Sequence, residues 1–182
     1  MTVNGSQKRF ALLDRDGTVI VEKHYLKSVS DLEFLPHAVA GLRRLSDQGY
    51  GLILVTNQSG VGRGLVSIAE VDAIHAELTR RLTAEGIDLA AIYYCPHTPD
   101  DQCECRKPRT GLARKAAADF GFDPSESLVI GDKSSDIEFG RNLNAYTVLV
   151  RTGCGAQHEY TAGADAVADN LEDAAYLYRP VI

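Results

Sequence analysis

The chain reads as an α/β protein: a single Rossmann-like, doubly wound, mostly parallel sheet with helices on both faces. Three observations predict this. Six short apolar runs recur along the 182 residues, several nearly continuous rather than alternating, as in strands covered on both faces. Helical periodicity fills the intervals between the runs. The residues with unusual chemistry fall just past the carboxyl ends of the runs, where open α/β sheets bind their ligands.

The strand runs span residues 10–13, 52–55, 91–94, 128–130, 147–150 and 166–168. Helical patterns occupy 38–48, 67–85, 111–120, 134–143 and 171–178. Ser67 followed three residues on by Glu70 makes a capping box, Gly86 and Gly121 sit where C-terminal glycines belong, and Pro36 suits a helix start. No internal repeat or low-complexity tract interrupts the order. With 45% hydrophobic residues the chain is long enough for one well-buried core and short for two, so residues 1–182 are expected to form one domain.

A formal net charge of -6 without a long basic run argues against a nucleic-acid footprint, so any phosphate recognition must be local. The first nine residues lack the apolar segment of a signal peptide, and no stretch approaches the roughly 20 apolar residues that span a bilayer. A cytoplasmic protein that does not engage membranes is expected. No long apolar surface stripe stands out, which points to a monomer. In a reducing compartment disulfides are disfavoured, so Cys95, Cys103 and Cys105, packed into eleven residues, need another explanation. Cys154 stands apart as a small packing residue.

Past the first run stand Asp14 and Asp16, separated by Arg15 and followed by Gly17 and Thr18. Two carboxylates this close repel unless a cation or a proton relieves them, which suggests a metal site containing a nucleophile. An Asp-Gly turn closing the strand is the plain alternative. Past the second run, Thr56, Asn57, Gln58, Ser59 and Gly60 offer a hydroxyl, two amides and a glycine-rich backbone to phosphate oxygens, or form an ordinary polar loop. Past the fourth run comes Asp132, placed to join the first pair around one hard cation, for which oxygen-only ligands favour Mg2+. Asp136 follows one helical turn later, either behind that site or simply complementing the helix dipole.

Cys95, His97, Cys103 and Cys105 make a complete tetrahedral set for structural Zn2+, in a loop spanning about 95–107. Such a clip orders a loop poor in apolar residues and fixes Arg106 and Lys107 immediately downstream. Together the strand ends hold what phosphoryl transfer needs, namely positioning and charge neutralisation. Asp14 would attack phosphorus to give an aspartyl phosphate, and Asp16 would protonate the leaving oxygen and then activate water. Mg2+ would screen attacker from phosphate, and Thr56 and Lys107 would hold the transferring oxygens.

Asp14-x-Asp16-Gly17-Thr18, Thr56-Asn57, Lys107-Pro108 and Gly131-Asp132-x-x-x-Asp136, in this order, resemble the four loops of the haloacid-dehalogenase-like phosphatases, over nearly the whole chain. With the Cys-x-His and Cys-x-Cys clip before Arg106-Lys107-Pro108, the chain looks most like the subgroup that removes the 7-phosphate of D-glycero-D-manno-heptose 1,7-bisphosphate. The resemblance implies Asp14 as nucleophile, Asp16 as general acid and base, and Asp14, Asp16 (through its carbonyl) and Asp132 as magnesium ligands. Asp136 would lie behind them. It makes Thr56, Arg106 and Lys107 part of the catalytic set, and places Arg15, Glu22, Lys23, His24, Tyr25, Asn57, Gln58, Ser59 and Lys133 against a small phosphorylated metabolite.

Two departures stand out. Only five residues separate His97 from Cys103, which is closer to the histidinol-phosphate phosphatases, and Ile20 occupies a place where many heptose enzymes carry asparagine. No insertion large enough for a cap domain is present, so the loop from Val19 to Leu35 and the zinc loop should roof the site. A polynucleotide 3'-phosphatase fits the charge balance poorly, and a non-catalytic zinc module that only docks phosphorylated ligands would lack the acids found here.

Overall fold

The computed structural model describes residues 9–177. Its six strands, β1 (Arg9–Leu13), β2 (Tyr50–Asn57), β3 (Leu89–Cys95), β4 (Leu128–Gly131), β5 (Tyr146–Val150) and β6 (Ala166–Ala168), form one sheet in the order β3-β2-β1-β4-β5-β6. Every pairing is parallel. The helices are α1 (Ala38–Asp47), α2 (Ser59–Gly62), α3 (Ile68–Ala84), α4 (Gly111–Phe120), α5 (Ser134–Asn142), α6 (Gly155–His158) and α7 (Leu171–Leu177). The helix end expected at Tyr178 and residues 1–8 lie outside the described residues.

Alternation within the strands sorts the apolar side chains onto two faces. Leu13, Leu52, Leu54, Ile130 and Val148 point into a core shared with Leu42 and Leu45 of α1, Ile74 and Leu78 of α3, and Leu171 of α7. Their neighbours Phe10, Leu12, Ile53 and Val129 pack on the opposite face against Leu112 and Ala116 of α4 and Phe139 of α5. Burying each such side chain stabilises by about 1.5–3 kcal/mol, which is why both faces must be covered for these runs to exist as strands.

The order reverses at β1, whose neighbours are β2 on one side and β4 on the other. At such a switch point the connections leave in opposite directions and open a crevice at the carboxyl ends. The loops after β1, β2 and β4 border it.

Three local details depart from the sequence expectation. The strand runs extend further, β2 by two residues at each end, because the polar and glycine positions flanking the apolar core still pair with their neighbours. Pro36 stands outside α1 rather than at its first turn: His37, with φ of 66°, turns the chain into the helix at Ala38. The four-residue helices α2 and α6 are too short to leave a periodic pattern. Helix α3 does begin at the expected capping box, with Ser67 Oγ accepting from the Glu70 amide and Glu70 accepting from the Ser67 amide. Its Leu78 is fully buried. Leu78→Ala should cost about 2–5 kcal/mol, seen as a lower urea midpoint at unchanged slope.

Candidate active site

Strand β1 ends at Leu13, so Asp14 emerges at the crevice; its amide still donates to Ile130 O of β4 at 2.9 Å. Asp132 leaves β4 in the same way and is fully buried. The turn between them demands glycine: Gly17 has φ of 88°, and a Cβ there would collide with the Asp132 carboxylate, as would one on Gly153.

Lys107 fills the space between the acids. Its Nζ donates to Asp14 Oδ1 at 2.7 Å and to Val55 O at 2.5 Å, and it pairs with Asp136 Oδ1 at 2.6 Å, so all three ammonium protons are engaged. The lysine comes from a segment outside any helix or strand, held by Asn57. The Asn57 amide donates to Lys107 O at 3.1 Å and accepts from Lys107 N at 3.0 Å.

Burial works against the charged form of every carboxylate here, and neighbours decide the outcome. For Asp14, Lys107 and Lys133 outweigh burial and hold the carboxyl below its usual range. For Asp16, burial wins over Arg15 and raises it. Burial and the Asp14 charge push Asp132 up to about 8. Burial also raises Asp136 despite Lys107.

Asp14, Asp132 and Asp136 each offer an oxygen within 4.8 Å of the others. Asp132 Oδ2 accepts from the Cys154 amide at 2.8 Å, while its Oδ1 is buried without a hydrogen-bond partner. An orphaned carboxylate oxygen beside a second acid is the donor set a hard cation such as Mg2+ takes. Both Asp136 oxygens are already engaged, one by Lys107 and one by the Lys133 amide at 3.0 Å, which sets it behind Lys107 rather than in front.

The Asp16 side chain is held by a different set of partners. Arg15 grips it with Nε on Oδ2 and Nη2 on Oδ1, both at 3.0 Å, and Gln58 Nε2 donates to Oδ2 at 2.8 Å and to Thr56 Oγ1 at 2.9 Å. Asp14, Asp16, Glu22, His24, Tyr25, Thr56, Asn57, Gln58, Ser59, Lys107 and Lys133 line one cavity. A wider outer hollow continues from it past Arg106 and Cys154.

Two residues expected at the substrate are placed elsewhere. The Arg15 side chain is only 1% exposed and is turned inward onto Asp16 and His75. Lys23 pairs with Glu33 at 3.2 Å on the surface. Lys133 reaches Glu22 at 3.0 Å and bridges the rim. His75, Ser135 and Cys154 were not singled out as site residues from the sequence. Only their position in space, not their spacing, brings them here.

The second cluster gathers the expected clip: Cys95 at the end of β3, His97, Cys103 and Cys105. The sulfurs lie 3.1–3.5 Å apart, and His97 Nδ1 is 3.2 Å from Cys105 and 3.6 Å from Cys95. No pair is disulfide-bonded. These spacings approach the edges, about 3.8 Å, of a tetrahedron drawn around zinc at Zn–S of about 2.3 Å. Arg109 Nη1 braces the loop through Cys103 O at 2.7 Å, and Arg106 Nη1 through His97 O at 3.3 Å.

Comparison with known proteins agrees with this geometry. A family model described as HAD-hydrolase-like matches residues 104–174. The D-glycero-beta-D-manno-heptose-1,7-bisphosphate 7-phosphatase of Haemophilus ducreyi is 37% identical over 174 residues, 91% of this chain and 96% of its own. A probable D-glycero-D-manno-heptose-1,7-bisphosphate 7-phosphatase of Thermoplasma volcanium is 41% identical over 140 residues, 76% of this chain and 96% of its own. The crystal structure of D,D-heptose 1,7-bisphosphate phosphatase from B. bronchiseptica, complexed with magnesium and phosphate, gives a TM-score of 0.85 at 34% identity, covering 93% of this chain and 96% of that one. The chain belongs to the HAD-like hydrolases, and within them to the heptose-1,7-bisphosphate 7-phosphatase family. Among the described residues no helix is long and apolar enough to cross a membrane.

Two outcomes test the metal clusters. Because burial pushes Asp132 up to about 8 in the folded state against about 3.8 ordinarily, the folded state holds the extra proton and the Asp132 contribution to metal-free stability falls as pH rises from about 4 to 8. Asp132→Asn should therefore raise Tm in chelator at pH 8 while abolishing the Tm increase that Mg2+ gives the unsubstituted protein. The purified chain should carry close to one zinc per molecule by elemental analysis, and Cys105→Ser should lose it with a lower Tm.

Proposed function

We propose that the chain is a magnesium-dependent phosphatase that removes the 7-phosphate of D-glycero-D-manno-heptose 1,7-bisphosphate through an aspartyl phosphate on Asp14. The observation that carries this reading is Lys107, held at 2.7 Å from Asp14 and 2.6 Å from Asp136 beside the unpartnered Asp132 Oδ1. It keeps one carboxylate ionised in a buried place, as a nucleophile requires.

Asp14 attacks phosphorus while the ester oxygen leaves. Asp16, whose carboxyl burial holds above its usual range, gives that oxygen its proton. The same side chain then takes a proton from the water that splits the aspartyl phosphate, releasing inorganic phosphate. The Thr56 hydroxyl and the Lys107 ammonium hold the transferring oxygens, and Asn57 holds Lys107. Asp14, Asp132 and the Asp16 carbonyl would hold Mg2+, which would supply charge neutralisation. Glu22, His24, Tyr25, Ser59, Arg106 and Lys133 form the rim that meets the rest of the sugar. Cys95, His97, Cys103 and Cys105 would hold zinc, which would steady the loop that delivers Arg106 and Lys107. A monomer of one domain working in the cytoplasm completes this reading.

The five-residue interval between His97 and Cys103 makes histidinol phosphate the informative competitor. With Mg2+ present, kcat/KM for the heptose bisphosphate should exceed that for histidinol phosphate by more than about tenfold. The reverse preference would sink the substrate assignment. Asp14→Asn should reduce phosphate release more than about a thousandfold, and an active variant would sink the covalent mechanism.

A further inference from the structure

Arg15 stands between the two working aspartates yet touches the cavity with neither charge nor hydrogen bond. Its guanidinium is buried, and its fork holds both oxygens of Asp16 at 3.0 Å. The remaining arm, Nη1, lies 2.9 Å from His75 Nε2, contributed by α3 sixty residues further along the chain.

His75 is an odd occupant for its place. It lies on the buried face of α3 with Val71, Ile74, Leu78 and Leu82, where an aliphatic side chain would pack at no polar cost. Burial and the Arg15 cation depress it to about 3, so the ring is neutral and Nε2 carries a lone pair, with the proton on Nδ1. Its ring is steadied by Tyr94, edge-on at 5.3 Å and 63°. A guanidinium with one arm fixed by an imidazole and two by a carboxylate has a single orientation; without the imidazole, a buried donor is left unpaired and the fork is free to turn.

We propose that His75 is a positioning residue for proton delivery: by accepting from Arg15 Nη1 it fixes the fork that aims the Asp16 carboxyl. The inference rests on the phosphatase reading above, in which the Asp16 proton passes to the ester oxygen as the bond from phosphorus to that oxygen breaks and the bond from Asp14 forms. His75 touches no reacting atom. Its effect must therefore follow the need for a proton rather than the binding of phosphate.

That need can be varied. An alkyl phosphate such as the heptose bisphosphate expels a strongly basic oxygen and requires the proton, whereas p-nitrophenyl phosphate expels a stable phenolate and hardly does. In His75→Leu, kcat/KM for the alkyl ester should fall about tenfold, and that for the aryl ester should change less than about twofold. His75→Gln, which offers an amide oxygen to Arg15, should recover most of the alkyl loss. Equal losses on both esters, no loss on either, or a glutamine variant no better than leucine would overturn the inference. A wild-type chain inactive on both esters would instead overturn the phosphatase reading.

Nitrogen-15 NMR of the histidine rings in the unsubstituted protein needs no variant to fold. It should show His75 neutral with its proton on Nδ1, and a proton on Nε2 would equally overturn the inference.

Discussion

Placing the carboxylates of Asp14, Asp132 and Asp136 together beneath the surface is possible only because Lys107 is buried with them, and much of the local architecture serves that placement. An isolated carboxylate taken from water protonates rather than stays charged. Asp14 escapes because an ammonium sits at 2.7 Å, and the ammonium survives burial because Asp14, Asp136 and Val55 O take its three protons. The lysine belongs to neither helix nor strand. Its place is set by the amide of Asn57 on one side and by the cysteine and histidine clip that ends at Cys105, two residues earlier. A clip some distance along the chain from Asp14 thereby bears on the electrostatics of Asp14.

The environments of Asp14 and Asp16 pull two chemically identical groups apart. Both are desolvated by burial, but one faces Lys107 and Lys133 and is held low, whereas the other faces a single guanidinium, with Asp14 and Glu22 opposing its charge, and is held high. This divergence would allow the two carboxyls to take the opposite parts proposed for them. It arises from the partners each meets past the end of β1, Lys107 for Asp14 and Arg15 with Gln58 for Asp16.

Much of this was legible in the chain itself. The six strands announce themselves because buried parallel strands are apolar without alternation, and the four-ligand clip does so because three cysteines and a histidine at short spacing make a complete tetrahedral ligand set. What stayed hidden depends on direction. Nothing in the sequence separates an Arg15 that faces a substrate from one turned inward to Asp16, or tells that His75 on an otherwise apolar helix face will meet it. Asp136 looked like a helix-start aspartate, and its amide contact with Lys133 is of that kind, but its other oxygen carries the ion pair to Lys107. Asn57 likewise spends its amide on the Lys107 backbone, a contact across fifty residues that no local pattern encodes.

In the proposed mechanism phosphorus is handed first to the carboxylate at position 14 and only then to water. Hydrolysis of a phosphorothioate substrate ester made chiral at phosphorus with two oxygen isotopes, in water enriched in the third, measures this most directly. Two successive in-line displacements predict inorganic thiophosphate with retained configuration. Inverted configuration would mean that water attacks the ester in one step and would contradict the role assigned to Asp14.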